Sequence, residues 1–320
     1  MAVISVTSRP RRAVAVGVVL VVAAIVTVVQ FGRLGQESET SLPPDTSPSG
    51  VDVFYTREPG NPHGLIAYDW SGARRGSVKL PTWVEIARLQ PAPNGSGFFL
   101  DPSTPGDYAA YFDRAGRTLF ETDDRDFISQ AWADDSAHVC VLSYRGLAIR
   151  LPGQPDRTAP APVSTEYMVA ACTLRTDTAI LASSTDLEVV RLSTGKEQRG
   201  LSVGGPVLAS TDATYVAVSS SGDRPVLVYK TSDFSKPVAQ VDAGLQPLAF
   251  SGDNSLLLAS QPGGEVKAIA WRSNKVAWTY DASAASIGLV VARPSAADFV
   301  LYLSTGPVLL RRDGKTGKFG

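Results

Sequence analysis

Residues 128–151 read ISQAWADDSAHVCVLSYRGLAIRL. No apolar stripe recurs here at helical spacing; three short runs of β-branched, aromatic and aliphatic residues are separated by turn residues. An inner strand over 128–133 meets the Asp134-Asp135 turn, 139–144 runs back, and after Arg145-Gly146 a third strand follows over 147–151. Asp and Gly stand at the breaks because a short carboxylate bonds its own backbone and glycine tolerates positive φ. The next two units repeat the design as VAACTL, ILASS and LEVVRLS within 169–193, then as PVLAS, YVAVSS and PVLVYK within 206–230.

The same turn, an Asp, Asn or Gly beside small polar residues and then a β-branched or aromatic run, recurs from residue 50 to the end. Markers at 50, 94, 135, 177, 212, 253 and 296 are spaced by 44, 41, 42, 35, 41 and 43 residues. A period of about forty residues with several short strands per unit is that of a β-propeller blade. Each small antiparallel sheet can cover its faces only against neighbouring sheets, so the units must close into a ring. The expected fold class is therefore all-β, a β-propeller over 50–320 with seven blades. The first unit lacks an inner strand and the last has at most a frayed fourth, so closure either keeps seven blades or joins the end pieces into one mixed blade. An open pair of β-sandwiches fits six similar intervals poorly.

Several turns carry a resemblance. LSTGKEQRG at 192–200, NKVAWTY at 274–280 and RRDGKTGK at 311–318 resemble the Asp-x-x-Thr-Gly-Lys turns and following tryptophan strand of bacterial extracytoplasmic β-propeller repeat proteins, WD40-like and quinoprotein-like. The resemblance covers 50–320 as a repeat pattern and implies an exported propeller. The Gly-His and Trp-Asp dipeptides of WD40 proteins do not occur here, so the partners of that family are not carried over.

Upstream, residues 13–31 read AVAVGVVLVVAAIVTVVQF, long enough at about 1.5 Å per residue to cross a bilayer core as a helix. Arg9, Arg11 and Arg12 precede it and Arg33 follows, which keeps residues 1–12 cytoplasmic and exports the rest. A cleaved signal peptide would have a shorter apolar region and small residues after it, whereas Val28-Val29-Gln30-Phe31 is mostly bulky; a signal anchor is expected. Residues 32–49, rich in Ser, Thr, Pro and acid, cannot bury enough surface to order and read as a linker. The expected location is a single-pass cell-membrane protein with its C-terminal domain outside.

The whole chain of 320 residues carries 30 basic and 31 acidic groups, yet residues 1–33 hold four arginines and no carboxylate, leaving 26 basic against 31 acidic beyond them. A mildly acidic ectodomain is a poor binder of phosphate polymers, so no nucleic-acid partner is expected. Arginines outnumber lysines 22 to 8, a usage common in GC-rich bacterial genomes.

Chemistry-bearing residues are sparse. Cys140 lies five residues after the marker at 135 and Cys172 five before the marker at 177, which sets them at one height on adjacent blades. A disulfide fits that placement, and an exported domain is where one persists; two buried thiols are the alternative. His63 and His138 have no second ligand at metal spacing and read as ordinary surface or strand-end residues. No nucleophile elbow, phosphate loop or paired-glutamate motif occurs. Asp123-Asp124-Arg125-Asp126 lacks the alternating donors and fixed glycine of a calcium loop and reads as a solvated turn. Neither a metal nor a cofactor is expected. Asn94-Gly95-Ser96 has a glycosylation pattern, but turn chemistry already accounts for it.

Connections from an outer strand to the next inner strand share one face with the hairpins between second and third strands. That face collects Trp83, Asp123, Asp124, Arg125, Asp126, Tyr144, Arg145, Glu166, Tyr167, Asp223 and Arg224. Loops on a rigid scaffold, bearing aromatics and arginines, are where recognition sits. The leading expectation is a non-catalytic scaffold for a protein, peptide or envelope polymer. The alternatives are a propeller enzyme, quinone-dependent dehydrogenase or lactonase, or a ligand sensor relying on a partner to carry its signal inward.

Overall fold

The computed structural model describes residues 52–319 apart from 85–88, 101–107, 124–126, 152, 153, 155, 161–165 and 220–223. The anchor at 13–31 and the linker at 32–49 lie outside the described residues, among which no helix is long and apolar enough to cross a membrane.

Seven antiparallel sheets follow one another along the chain. Blade 1 holds β1 (Val53–Arg57), β2 (Gly64–Asp69) and β3 (Arg74–Lys79). Blade 2 holds β4 (Leu89–Pro91), β5 (Gly97–Leu100), β6 (Tyr108–Asp113) and β7 (Thr118–Asp123), and blade 3 holds β8 (Phe127–Trp132), β9 (Val139–Ser143), β10 (Gly146–Arg150) and β11 (Arg157–Ala159). Blade 4 holds β12 (Met168–Thr173), β13 (Thr178–Ala182), β14 (Asp186–Arg191) and β15 (Glu197–Ser202). Blade 5 holds β16 (Val207–Ala209), β17 (Tyr215–Val218), β18 (Pro225–Lys230) and β19 (Ala239–Ala243). Blade 6 holds β20 (Gln246–Phe250), β21 (Leu257–Ser260), β22 (Glu265–Ala270) and β23 (Lys275–Asp281), and blade 7 holds β24 (Ile287–Ala292), β25 (Phe299–Leu303), β26 (Gly306–Leu310) and β27 (Thr316–Gly317).

The core is divided to match. Seven apolar clusters each join two neighbouring blades: Val53, Tyr55, Phe98 and Leu100 between blades 1 and 2, Cys140, Leu142, Cys172 and Leu181 between 3 and 4, and so on around to Phe54, Trp70, Val300 and Leu309 between 7 and 1. Alternation along each strand sends odd and even side chains to opposite neighbours, which is why no blade has a core of its own. The chain is a seven-bladed β-propeller. The mixed-blade alternative is not what forms among the described residues: blade 1 keeps three strands and blade 7 four, its last being the two-residue β27.

The ring closes instead through side chains. Phe319 packs its ring 5.9 Å from that of Phe54 and 5.2 Å from that of Tyr68. The Tyr302 hydroxyl donates to the Tyr55 carbonyl at 2.5 Å, and Arg311 donates to the carbonyls of Trp70 and Ser71. Burial raises the Tyr302 phenol above its usual range.

The marker turns share one backbone feature. Each first-to-second-strand turn in blades 2 to 7 contains one left-handed residue: Gly95, Ser136, Asp177, Ala213, Asn254 and Ser295, at intervals of 41, 41, 36, 41 and 41. In four of these turns the preceding Asx caps the bend, as where the Asp135 carboxylate accepts from the amides of Ala137 and His138 and the Asp253 carboxylate accepts from the amide of Ser255.

Candidate binding face

The face named from sequence is built from connections after outer strands and hairpins between second and third strands. Trp83 lies between β3 and β4, 49% exposed, although its neighbours Leu80 and Val84 are buried. Its ring sits 5.9 Å from that of Phe112, so one side is seated on blade 2. Tyr144, 53% exposed, and Arg145 form the tight turn between β9 and β10, which Gly146 closes at φ 130° with its Cα against the Ala159 carbonyl. Glu166 is exposed just before β12, and Arg224 is exposed just before β18. Asp123 is the last residue of β7, in register with Tyr108. Asp124, Arg125, Asp126 and Asp223 lie outside the described residues.

Tyr167 serves the fold as much as the face. Its hydroxyl donates to Glu188 Oε1 at 2.7 Å and its ring packs against the cluster between blades 3 and 4. Burial, and then the Glu188 carboxylate, push its phenol well above the usual range, so it remains a neutral donor. Two residues on this face escaped the sequence reading. Met168, 51% exposed, follows Tyr167 and stands opposite Ala182 at the hairpin end of β13. His63, at the end of the β1–β2 hairpin, lies beside the Trp83 connection, its Nδ1 3.3 Å from the Val84 carbonyl. Only the Pro-His-Gly turn hinted at the histidine, and Met168 was indistinguishable from a strand interior.

The opposite face carries carboxylates, but the fold consumes them. Asp69 lies deep enough for burial to disfavour its charge, yet the Ser71 hydroxyl, Arg75 and the amides of Ser71 and Ala73 outweigh this and hold its pKa down to about 2. Asp113 likewise accepts from the amides of Ala115 and Arg117 and pairs with the Arg117 guanidinium at 2.7 Å. His138 pairs within its own turn with Asp135 at 2.6 Å. A shallow depression beside the closing seam is lined by Asp298, Arg311, Arg312 and Asp313, where Arg293 pairs with Asp298 at 3.0 Å and Arg311 is spent on blade 1. Among the described residues no three His, Cys, Asp or Glu side chains are grouped to hold a metal ion.

Between blades 3 and 4, Cys140 on β9 and Cys172 on β12 are joined, their Cα atoms 6.4 Å apart. A parallel bridge sets Ala133 beside Cys172, confirming that the two turns lie level.

No protein-family model and no curated protein matches this sequence. Its backbone matches 1274 solved chains. One is the β-propeller domain of Cps50 (Swd1) from Myceliophteria thermophila, a WD40-type propeller, at 12% identity and a TM-score of 0.58, covering 80% of this chain and 92% of that one. At that identity the likeness speaks for the fold alone, because one fold hosts many unrelated functions.

Proposed function

We propose that this protein is a membrane-anchored extracytoplasmic β-propeller that acts as a non-catalytic binding scaffold, holding a protein, peptide or envelope polymer on the face that carries Trp83, Tyr144 and Arg145. The observation that carries this reading is the exposure of Trp83, Tyr144 and Met168 together on one face of a closed ring. Of the seven large apolar side chains left exposed among the described residues, the other four are Leu119, Val276 and Leu289 within strands and Val238 just before β19. Trp, Tyr and Arg dominate interface hot spots because each combines large area with a polar handle, and a few such anchors suffice for a specific contact.

The anchor and the outward location rest on residues 9–33, whose apolar run and flanking arginines support an uncleaved segment with the propeller outside. Protease added to intact cells should then remove the propeller and spare a fragment near Met1. For the scaffold itself the test is Trp83→Ala with Arg145→Ala in the detergent-solubilised chain. Capture of a co-purifying partner should be lost while the β-rich circular dichroism and melting curve stay nearly unchanged. Undiminished capture would remove this face from consideration.

A further inference from the structure

An exposed tryptophan on a connection between blades needs something to hold it. Leaving β3, the chain makes a turn in which the Val84 amide donates to the Pro81 carbonyl at 3.0 Å, and Trp83 stands at its apex. The turn is tied twice to the β1–β2 hairpin, and both ties are on one residue. The Leu80 amide donates to the His63 carbonyl at 2.9 Å, and His63 Nδ1 lies 3.3 Å from the Val84 carbonyl. A carbonyl oxygen only accepts, so the proton of this bond is on Nδ1.

His63 is itself fixed from behind. Its amide donates to Asn61 Oδ1 at 3.1 Å, and Asn61 Nδ2 donates to Glu58 Oε2 at 2.6 Å. Pro59 and Pro62 restrict the same hairpin, and Pro81 restricts the turn it holds. Gly64 follows it, and a Cβ there would push the side chains of Glu58 and Asn61 aside.

We propose that His63 is the positioning residue of this face: through its Nδ1 donor it locks the 80–84 turn so that the Trp83 ring is presented in one pose, seated on Phe112 with its other side open. The inference rests on the reading of Trp83 as a binding anchor, and deepens it by naming what orders that anchor before a partner arrives. An anchor already ordered loses less freedom on binding, which is where the contribution of His63 lies.

The protein offers its own reporter. It has five tryptophans. Trp70, Trp271 and Trp278 are buried and Trp132 is partly covered, with its Nε1 bonded to the Gln90 carbonyl, so Trp83 is the one open to solvent. The experiment is iodide quenching of the full-length solubilised protein, with Trp83→Phe to identify the Trp83 component. His63→Ala should raise the quenching of that component up to about twofold, as a ring now half covered comes away from Phe112. His63→Asn should restore the native value, because the asparagine Nδ2 takes the place of the imidazole Nδ1; His63→Gln should not.

Hydrogen exchange at the Val84 amide should quicken in His63→Ala while exchange in the core strands does not, which separates a loosened turn from general unfolding. Native-like quenching in both His63→Ala and His63→Gln, or failure of His63→Asn to restore it, would overturn the proposal. Neither readout involves a partner. Should partner capture survive Trp83→Ala while the quenching pattern holds, the binding reading fails and the positioning role stands.

Discussion

The closing seam is the place where a single side chain should matter most. Phe319→Ala removes two edge-on aromatic contacts, to Phe54 and Tyr68. Such pairs contribute about 0.5–1.5 kcal/mol each beyond area burial, and the part-buried phenyl adds on the order of 1 kcal/mol. The expected loss is therefore about 2–4 kcal/mol, which for a domain of this size lowers Tm by roughly 4–7 °C. Among the described residues no strand of blade 7 pairs with blade 1, so the loss falls directly on ring closure. Urea denaturation followed by tryptophan fluorescence should show the shift, and hydrogen exchange should quicken first in β1, β2 and β27. Val276→Ala, on an exposed site of β23, is the control and should stay within about 0.5 kcal/mol of the parent. If Phe319→Ala matches that control, the seam is not held by this ring and the account of closure is wrong.

Two further tests bear on the fold. Reducing the Cys140–Cys172 bond opens a 32-residue separation and should lower stability by about 4 kcal/mol on the chain-entropy estimate. A non-reducing peptide map must show the cross-linked pair, and alkylation of both thiols in the denatured, unreduced protein would refute it. Asp69, whose pKa is held down to about 2, contributes stability that is complete above its unfolded pKa of about 4 and is lost as pH falls toward 2. Asp69→Asn should cost on the order of 2 kcal/mol at neutral pH and flatten the acid limb of the stability profile between about pH 4 and 2. Parallel profiles for the two proteins would show that Asp69 is not the group responsible.

Sequence alone determined the repeat, and through it the all-β class, the seven units and the level placement of Cys140 and Cys172. These are local or periodic properties: turn residues impose bends wherever they stand, and a period near forty reports the size of a blade without any long-range contact. The sequence also told which loops share a face, since strand order fixes that once strands are counted.

What only the tertiary structure decided depends on groups far apart in the chain. Tyr302 reaches a backbone carbonyl 247 residues away, and no pattern in the sequence marks Phe319 as the partner of Phe54 and Tyr68. Ser136, Ala213 and Ser295 adopt a left-handed backbone that their side chains do not favour, at the turn between two paired strands. Tyr167 looked like a surface anchor and proved half committed to Glu188, while His63 looked idle and proved to lie within hydrogen-bonding reach of the Val84 carbonyl. Burial and hydrogen-bond partners are set by which blades become neighbours, and that is decided when the ring closes.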